Sequence, residues 1–434
     1  MESIIRDVVM KYFLTNNLFS DKQYGFIKGR STVLQLLKAA DDWVKILDEG
    51  GQVDIIYTDF EKAFDKVPHL RLISKLHAYG LNECLIHWIE AFLMSRSQRV
   101  RINTEISDCK QVLSGIPQGS VLGPLLFVIF INDLPSACGD LSSMYLFADD
   151  AKLYKCVNNV IDFNVLNQCC KDIFLWCETW YMKLNTDKCK VLSLCRNSSN
   201  AVKYDYGFDM PNQGFVALDH EVVIKDLGVW VDSSLCFETH IYEKIKVANK
   251  MLGLIKRNFI DLDKNSFLLL YKSMVRSHLE YGGSVWSPYK KGMIRDIENV
   301  QKRATKLIFV CKGLTYEDRL ALLQLPTLKY RRFRGDMIEV FKILHGFYEA
   351  KIVPPLERNL DTRTCGNSFK LKVERCNYDV RKFAFCNRVV SVWNCLPEFV
   401  VNSGSINIFK NNLDKHWKSE AFYYDFEASP TGFV

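Results

Sequence analysis

The chain has 434 residues and a net charge of +7, with 48% hydrophobic and 25% charged residues. These proportions are typical of globular proteins and exclude a disordered, collagen-like or coiled-coil chain, and the length predicts two or three domains. The longest apolar run, residues 125–131, is too short to cross a bilayer, so no membrane partner is expected.

The fifteen cysteines are predicted to be reduced thiols without disulfides. Residues 1–13 mix charged and apolar side chains and contain no apolar stretch of a secretory signal, and disulfides are rare without secretion. No two cysteines form a CxxC pair. The four late cysteines, Cys365, Cys376, Cys386 and Cys395, are too unevenly spaced for a zinc site, so burial as small apolar side chains is favoured.

Periodicity predicts a mixture of helices and strands over the first 235 residues. The apolar spacing of Leu36, Ala40, Trp43 and Leu47 is typical of a helix, and the run VDIIY at 53–57 is typical of a buried strand. Further helices are predicted at 70–77, 85–92, 121–132 and after 164. Further strands are predicted at 99–106, 144–147, 152–156 and 191–194, and a strand pair around 222–231.

Beyond residue 237 the patterns become mostly helical and the charge becomes basic. Helices are predicted at 241–255, 267–280, 293–308 and 332–347, followed by an end rich in Phe and Trp. Residues 238–345 contain 21 Lys and Arg against 11 Asp and Glu, a net charge of +10, which leaves −3 for the remainder. A basic segment of this kind is typical of a surface that binds a polyanion. On charge alone, the interpretation that these residues only form solvated helix faces is equally good.

Three acids stand where chemistry is expected. Asp59 follows the buried strand, and Asp149 and Asp150 occupy a predicted hairpin tip between apolar strands. Like charges so placed repel unless a cation neutralises them, and Mg²⁺ prefers carboxylate oxygens. Two such ions about 4 Å apart support in-line phosphoryl transfer. Taken alone, an Asp-Asp turn is more often a solvated loop, so the ordered set carries the argument.

Six ordered strings resemble the reverse transcriptases of non-LTR (LINE-type, jockey-like) retrotransposons. They are QYGFIKGRST at 23–32, DFEKAFDKV at 59–67, SGIPQGSVLGPLLF at 114–127, FADD at 147–150, LNTDKCK at 184–190 and IKDLGVWVD at 224–232. LYKSMVRSHLEYGGSVWSP and VQKRATKLI resemble the thumb of the same elements. The resemblance implies an α/β right-hand polymerase palm with partial fingers at 1–235, an α-helical thumb at 236–312 and a mostly helical C-terminal extension of unknown role at 313–434.

The resemblance also implies the site residues. Catalysis and binding of two Mg²⁺ ions, or of Mn²⁺, would fall to Asp59, Asp149 and Asp150. The deoxynucleotide would be bound by Phe60, Phe64, Gln118, Gly119 and Lys188, with Phe64 as the steric gate against a ribose 2′-OH. For Phe60 a core role is the alternative, and for Lys188 a solvated surface role. Primer and template would be bound by Arg30, Leu227, Gly228, Lys244, Lys250, Lys256, Arg257, Lys302 and Arg303.

The implied activity is RNA-directed DNA polymerisation on a DNA primer or nicked target DNA, from deoxynucleoside triphosphates. In such elements the polymerisation serves target-primed insertion into chromosomal DNA, which implies action in the nucleus. A cytoplasmic stage as a ribonucleoprotein is consistent with that location. The chain begins about one helix before QYGFIKGRST, so we expect an N-terminal truncation that lacks the upstream fingers strands and the endonuclease. A catalytically inactive nucleic-acid-binding relic is therefore the alternative, and a host-recruited protein is a third reading.

Overall fold

A five-stranded sheet forms the centre of the first half of the chain. The computed structural model describes residues 1–139, 141–196, 201–210, 214–359 and 367–432; the predictions for Cys365 lie outside these residues. The described chain divides into two compact units. One lies within 1–35, 51–195 and 199–221, and the other within 36–50, 196–198 and 222–434. The predicted domain limits at 235/236 and 312/313 stay predictions.

The elements up to residue 221 alternate between helix and strand. The helices are α1 Glu2–Thr15, α2 Thr32–Asp48, α3 Ala63–Lys66, α4 His69–Ala78, α5 Glu83–Leu93, α6 Gly123–Ile131, α7 Leu134–Ala137 and α8 Val160–Trp180. The strands are β1 Val53–Thr58, β2 Ser97–Gln98, β3 Arg101–Ile102, β4 Glu105–Ile106, β5 Lys110–Gln111, β6 Ser143–Phe147, β7 Asp150–Cys156, β8 Lys190–Leu194, β9 Gly207–Met210, β10 Gly214–Ala217 and β11 Asp219–Glu221.

The elements after residue 221 are mostly helical. They begin with a hairpin of β12 Val223–Asp226 and β13 Val229–Asp232. The helices are α9 Glu238–Asn258, α10 Lys264–Leu270, α11 Ser277–Glu280, α12 Gly283–Trp286, α13 Lys291–Ala304, α14 Tyr316–Leu323, α15 Leu328–Leu344, α16 Asp379–Lys382, α17 Phe385–Asn394, α18 Glu398–Val401 and α19 Ile406–Trp417. Short helical turns add a π-helical segment, Tyr271–Arg276, and 3₁₀ turns at Thr305–Leu307, Phe309–Cys311 and Ala421–Tyr423.

The sheet of the first unit has the order β11-β8-β1-β7-β6. β1 lies in its middle and pairs antiparallel with both β7 and β8, which explains why nearly every residue of VDIIYT is buried. α6 is apolar on all sides, and its residues are almost entirely buried in the core of this unit. The buried middle position of β1 fixes where Asp59, the residue after it, leaves the sheet.

One strand prediction and one helix prediction in this unit need correction. Residues 99–106 were predicted as one strand, but the chain reverses at Asn103, which has a φ of 55°, and β3 pairs with β4 as an exposed hairpin. An alternating pattern can arise from either arm of a hairpin, so it did not reveal the turn. α8 begins before residue 164, because the Asn159 side chain accepts hydrogen bonds from the Ile161 and Asp162 amides and caps the helix.

α15 lies at the centre of the second unit and packs against α12, α13, α17 and α19. The thumb-like helices and the C-terminal residues therefore share one unit. α2 contributes residues 36–48 to the same unit, where Asp41 forms an ion pair of 2.6 Å with Arg381; the two side chains are only 5% and 8% exposed. In the described part of the chain, no helix is long and apolar enough to span a membrane. The fourteen cysteines of these residues are free thiols.

Replacing Arg381 by Met should destabilise the protein by about 3–5 kcal/mol, because Asp41 would remain buried without its partner. The matched control is Arg295→Met, which removes an ion pair of 3.4 Å with Glu427 whose side chains are 59% and 53% exposed. That change should cost less than about 1 kcal/mol. Urea denaturation of the full chain measures both, and equal losses would contradict the importance of the buried pair.

Candidate active site

The end of β1 and the β6–β7 hairpin bring Asp59 and Asp149 to one edge of the sheet. Thr58, the last residue of β1, pairs with Ala151, and Phe147 pairs with Asp150 across the hairpin. Ala148 and Asp149 form the intervening turn. Register alone therefore places Asp59 beside this turn.

The turn depends on residues that the sequence analysis did not select individually. Ala148 has a φ of 55°, a region that L residues seldom adopt. The buried Gln23 side chain holds this conformation, since its Oε1 accepts hydrogen bonds from the amides of Ala148 (3.0 Å) and Gly25 (2.8 Å). A Cβ on Gly25 would lie 2.5 Å from the Ala148 nitrogen. Residues 23–25 (QYG) thus support the turn of the FADD motif. Their place at the start of the QYGFIKGRST string was the sequence feature that could have indicated this role.

The two carboxylates interact electrostatically. The pKa of the half-buried Asp149 is raised above its usual value, mainly by burial and further by the negative charge of Asp59. Lys188 Nζ lies 3.6 Å from Asp59 Oδ2, with 68% of the Lys188 side chain exposed. The site therefore holds two neighbouring acids and one exposed cation.

The LNTDKCK segment fixes the backbone of Asp59. The Asp59 carbonyl accepts a hydrogen bond of 2.8 Å from the Asn185 amide, and the Asp59 amide donates to Cys189 Sγ at 3.4 Å. Phe60 forms a β-bridge with Leu184. These contacts explain why Lys188, three residues after Asn185, reaches the Asp59 carboxylate.

The acids fit a divalent cation as a pair. In the described ranges, no group of three or more His, Cys, Asp or Glu side chains is arranged to hold a metal ion. Asp150 is the exposed first residue of β7, and its expected role as the third carboxylate stays a prediction. Mg²⁺ is commonly held by one or two carboxylates together with substrate phosphates, and the repulsion between Asp59 and Asp149 favours such an ion.

The two candidate aromatic residues occupy different environments. Phe60 is 4% exposed and belongs to the hydrophobic core, which favours its core alternative over contact with a nucleotide. Phe64 is half-buried and stacks on Phe127, with ring centroids 4.2 Å apart and an interplanar angle of 17°. Phe64 thus has a ring that is held by the core and retains an accessible part.

The loop 114–120 is anchored on the chain segment that follows Phe64. The amides of Gly115 and Ile116 donate to the carbonyls of Val67 and Phe64, each at 2.9 Å. Gln118 Nε2 donates to Asp65 Oδ1 at 2.9 Å, so this side chain lies near the Phe64 segment. Gly119 has a φ of +84° and open space where a Cβ would stand. The structure therefore holds Gln118 and Gly119 beside the segment that contains Phe64.

Arg30 stabilises the backbone of the first unit. Its guanidinium donates hydrogen bonds of 2.6 Å to the carbonyls of Ser20 and Gln23, the residue that supports the FADD turn. The side chain is half-buried. Arg30 therefore acts on the site through Gln23, whereas contact with template or primer stays a prediction.

In the second unit, Leu227 and Gly228 form the turn between β12 and β13. Their φ values are 45° and 86°, as a tight hairpin requires. Tyr281 closes the turn by donating a hydrogen bond of 2.8 Å to the Leu227 carbonyl, and its ring lies 3.1 Å from the position of a Gly228 Cβ. Lys244 Nζ lies 5.8 Å from the centroid of the same ring.

The other candidate cations of this unit divide into exposed and packed side chains. The exposed ones are Lys250, Lys256, Arg257 and Arg303. Lys302 is packed, with Nζ 4.1 Å from the centroid of the Phe426 ring and 5.2 Å from that of Tyr316. This cation–π contact holds the Lys302 ammonium within the unit.

Comparison with known proteins places these motifs in a family. Residues 1–231, more than half of the chain, match the family described as "Reverse transcriptase (RNA-dependent DNA polymerase)". The chain belongs to the reverse transcriptase family. Membership confirms the predicted fold class, an α/β polymerase palm followed by helical segments.

The related proteins confirm the predicted non-LTR branch of the reverse transcriptases. The probable RNA-directed DNA polymerases from transposons BS and X-element of Drosophila melanogaster are each 26% identical, over 71% and 72% of this chain and 35% and 34% of their own. The RNA-directed DNA polymerase from mobile element jockey of the same species is 24% identical over 69% of this chain and 34% of its own. The chain spans about a third of the length of these curated relatives.

A solved structure, apo telomerase from Candida tropicalis, covers 74% of this chain and 52% of its own, with 10% identity and a TM-score of 0.42.

The two glycines of the 114–120 loop should respond differently to substitution by Ala. Gly115 has a φ of +89°, and its Cβ would lie 2.6 Å from the Asp65 carbonyl oxygen. Gly115→Ala should therefore cost about 1–2 kcal/mol for the backbone conformation and about 1–3 kcal/mol for the clash. Gly119→Ala carries only the first cost. Thermal and urea denaturation would measure the difference, and equal losses would contradict the close approach at Gly115.

Proposed function

We propose that this reverse transcriptase is the RNA-directed DNA polymerase of a non-LTR retrotransposon and extends a primer 3′-OH on an RNA template. The observation that carries the proposal is the Asp59–Asp149 pair, with Lys188 Nζ 3.6 Å from Asp59, at the edge of the sheet. Family membership and the similarity to the RNA-directed DNA polymerases of transposon BS and mobile element jockey support it. The complete element's substrates and partners are part of the same proposal.

In this proposal Asp59 and Asp149 hold Mg²⁺, or Mn²⁺, at the sheet edge, with two ions in the working site and Asp150 as the adjacent acid. When bound, such ions lower the pKa of the attacking hydroxyl and neutralise charge on the transferred phosphate. Lys188 supplies a positive charge next to Asp59, where a triphosphate would approach. Gln118 and Gly119 line the path of the incoming nucleotide and template base.

The second unit supplies the contacts proposed for the primer and template. The turn at Leu227 and Gly228 is held by Tyr281 and would support the primer end. The exposed cations Lys250, Lys256, Arg257 and Arg303 would bind backbone phosphates, which gives sequence-independent affinity that falls with salt. We further propose that the reaction serves target-primed reverse transcription at a nick in chromosomal DNA, in the nucleus.

Primer extension by the full chain tests the catalytic assignment. With an RNA template, Mg²⁺ and deoxynucleotides, Asp149→Ala should lower extension at least about a hundredfold, the scale of one lost transition-state interaction. Asp7→Ala is the control, since that carboxylate is 67% exposed on α1. Extension that persists in Asp149→Ala would overturn the proposal. Absence of extension in every protein, with salt-sensitive hybrid binding, would instead identify a binding relic.

Substitution of Phe64 tests the proposed selection against ribonucleotides. Phe64→Val removes ring volume beside the nucleotide path, so the ratio of ribonucleotide to deoxynucleotide incorporation should rise about tenfold or more. Phe60→Val is the matched control: its ring is in the core, so it should lower stability and leave this ratio unchanged. Single-nucleotide extension with each substrate gives the ratio. A change caused by Phe60→Val alone would reverse the two assignments.

A further inference from the structure

A second site lies entirely within the second unit, in a cavity of about 190 Å³. This volume is far larger than the 10–15 Å³ needed for one water molecule. Its lining includes four cations, Lys291, Lys329, Arg332 and Arg388, and one acid, Glu427. Arg388 is neutralised by an ion pair with the buried Asp336, so three of the four cations remain to set the charge of the cavity. We call this space the basic cavity. A concave space with this charge balance suits an anion.

Arg332 is the least satisfied of these cations. Its side chain is 6% exposed, and neither of its two Nη nitrogens has a hydrogen-bond partner within the described residues. Burial lowers the pKa of Arg332 to about 10, so the side chain remains charged at neutral pH. A buried charge without hydrogen bonds is costly in free energy, and native proteins usually supply a partner.

The acids near Arg332 are already engaged by other residues. Glu298 accepts hydrogen bonds from the Tyr316 hydroxyl and the Leu328 amide. Asp336 accepts two hydrogen bonds of 3.0 Å from Arg388. Glu280 likewise accepts two from Arg331, at 2.7 and 3.0 Å. These acids compensate the charge of Arg332 without hydrogen bonds to its two Nη nitrogens, so the hydrogen-bonding capacity of these nitrogens is left for another anion.

The other cations of the basic cavity differ in how they are held. Lys329 Nζ donates to the Ala428 carbonyl (2.6 Å) and the Ser429 hydroxyl (3.0 Å), which fixes its charge beside the cavity. Lys291, at the first position of α13, is exposed. The cavity therefore combines a buried guanidinium, a fixed ammonium and an exposed lysine.

Aromatic rings complete the lining. Tyr289 and Phe383 stack with centroids 4.4 Å apart and planes 3° apart, and Phe333 also lines the cavity. Phosphate-binding cations beside flat rings are the combination with which proteins bind unpaired nucleotides, whose bases are free to stack. A duplex would not offer a base to such a space.

We propose that the basic cavity binds one nucleotide of a single-stranded nucleic acid, with its phosphate at Arg332 and Lys291 and its base against the rings. This site is separate in function from the polymerase reaction, because it uses none of the residues assigned to catalysis. RNA and DNA share the required chemistry. The experiment therefore distinguishes them and measures binding without polymerisation.

Photo-crosslinking of the full chain tests the proposal. The probes are 12-nucleotide single strands containing 4-thiouridine or 4-thiothymidine, without deoxynucleotides or Mg²⁺, and the crosslinked peptides are mapped by mass spectrometry. Crosslinks are expected at Tyr289 or Phe333. Their yield should fall at least fivefold in Lys291→Gln, but less than twofold in Lys290→Gln, which removes the neighbouring exposed lysine outside the cavity lining. The more reactive probe identifies RNA or DNA.

Arg332→Met provides an independent readout. It removes the buried charge at similar volume, so crosslinking should be lost. Because the buried Glu298 and Asp336 would lose a nearby positive charge, the melting temperature of the free protein should also fall. A lower melting temperature with retained crosslinking would assign Arg332 to the fold. Absence of crosslinks in the unmodified chain, or equal losses in the two lysine variants, would overturn the site. Primer extension is not measured, so failure here is independent of the polymerase proposal.

Discussion

The repulsion between two carboxylates at one edge of a sheet is the constraint around which the first unit is organised. Burial, and to a smaller extent the charge of the neighbouring Asp59, disfavours the charged form of Asp149. Hydrogen bonds with uncharged groups hold the two acids in place despite this unfavourable energy. Gln23 stabilises the left-handed conformation of Ala148, and Asn185 and Cys189 hold the Asp59 backbone. Sites that store such strain are typically functional, because a bound cation turns the repulsion into affinity.

The sequence allowed prediction of features that repeat or follow a fixed motif spacing. The buried strand β1, the apolar helix α6 and the positions of Asp59 and Asp149 follow from hydrophobic runs and ordered motifs. The turn inside 99–106 was missed because both arms of that hairpin are exposed, so burial gave no signal. The basic cavity could not be predicted either, because Lys291, Arg332 and Arg388 are brought together only by tertiary packing.

The two units use positive charge in different ways. In the first unit Arg30 and Lys188 act close to the acids, Arg30 through the Gln23 backbone and Lys188 directly. In the second unit, cations such as Lys250 and Arg257 are exposed, whereas Arg332 is buried beside acids that are bonded elsewhere. Net charge per segment does not distinguish these roles, since hydrogen-bond partners and burial decide what each cation can bind.

The assignment of residues 36–50 to the second unit has a consequence for how the chain can be divided. Neither unit is a continuous stretch of sequence. Segments that are synthesised early therefore cannot form their contacts within a unit until later segments have been made. Asp41 is synthesised 340 residues before Arg381. The ion pair between α2 and Arg381 can therefore form only when most of the chain has been made. A fragment beginning at residue 236 would lack α2, leave Arg381 without Asp41, and fold poorly by itself.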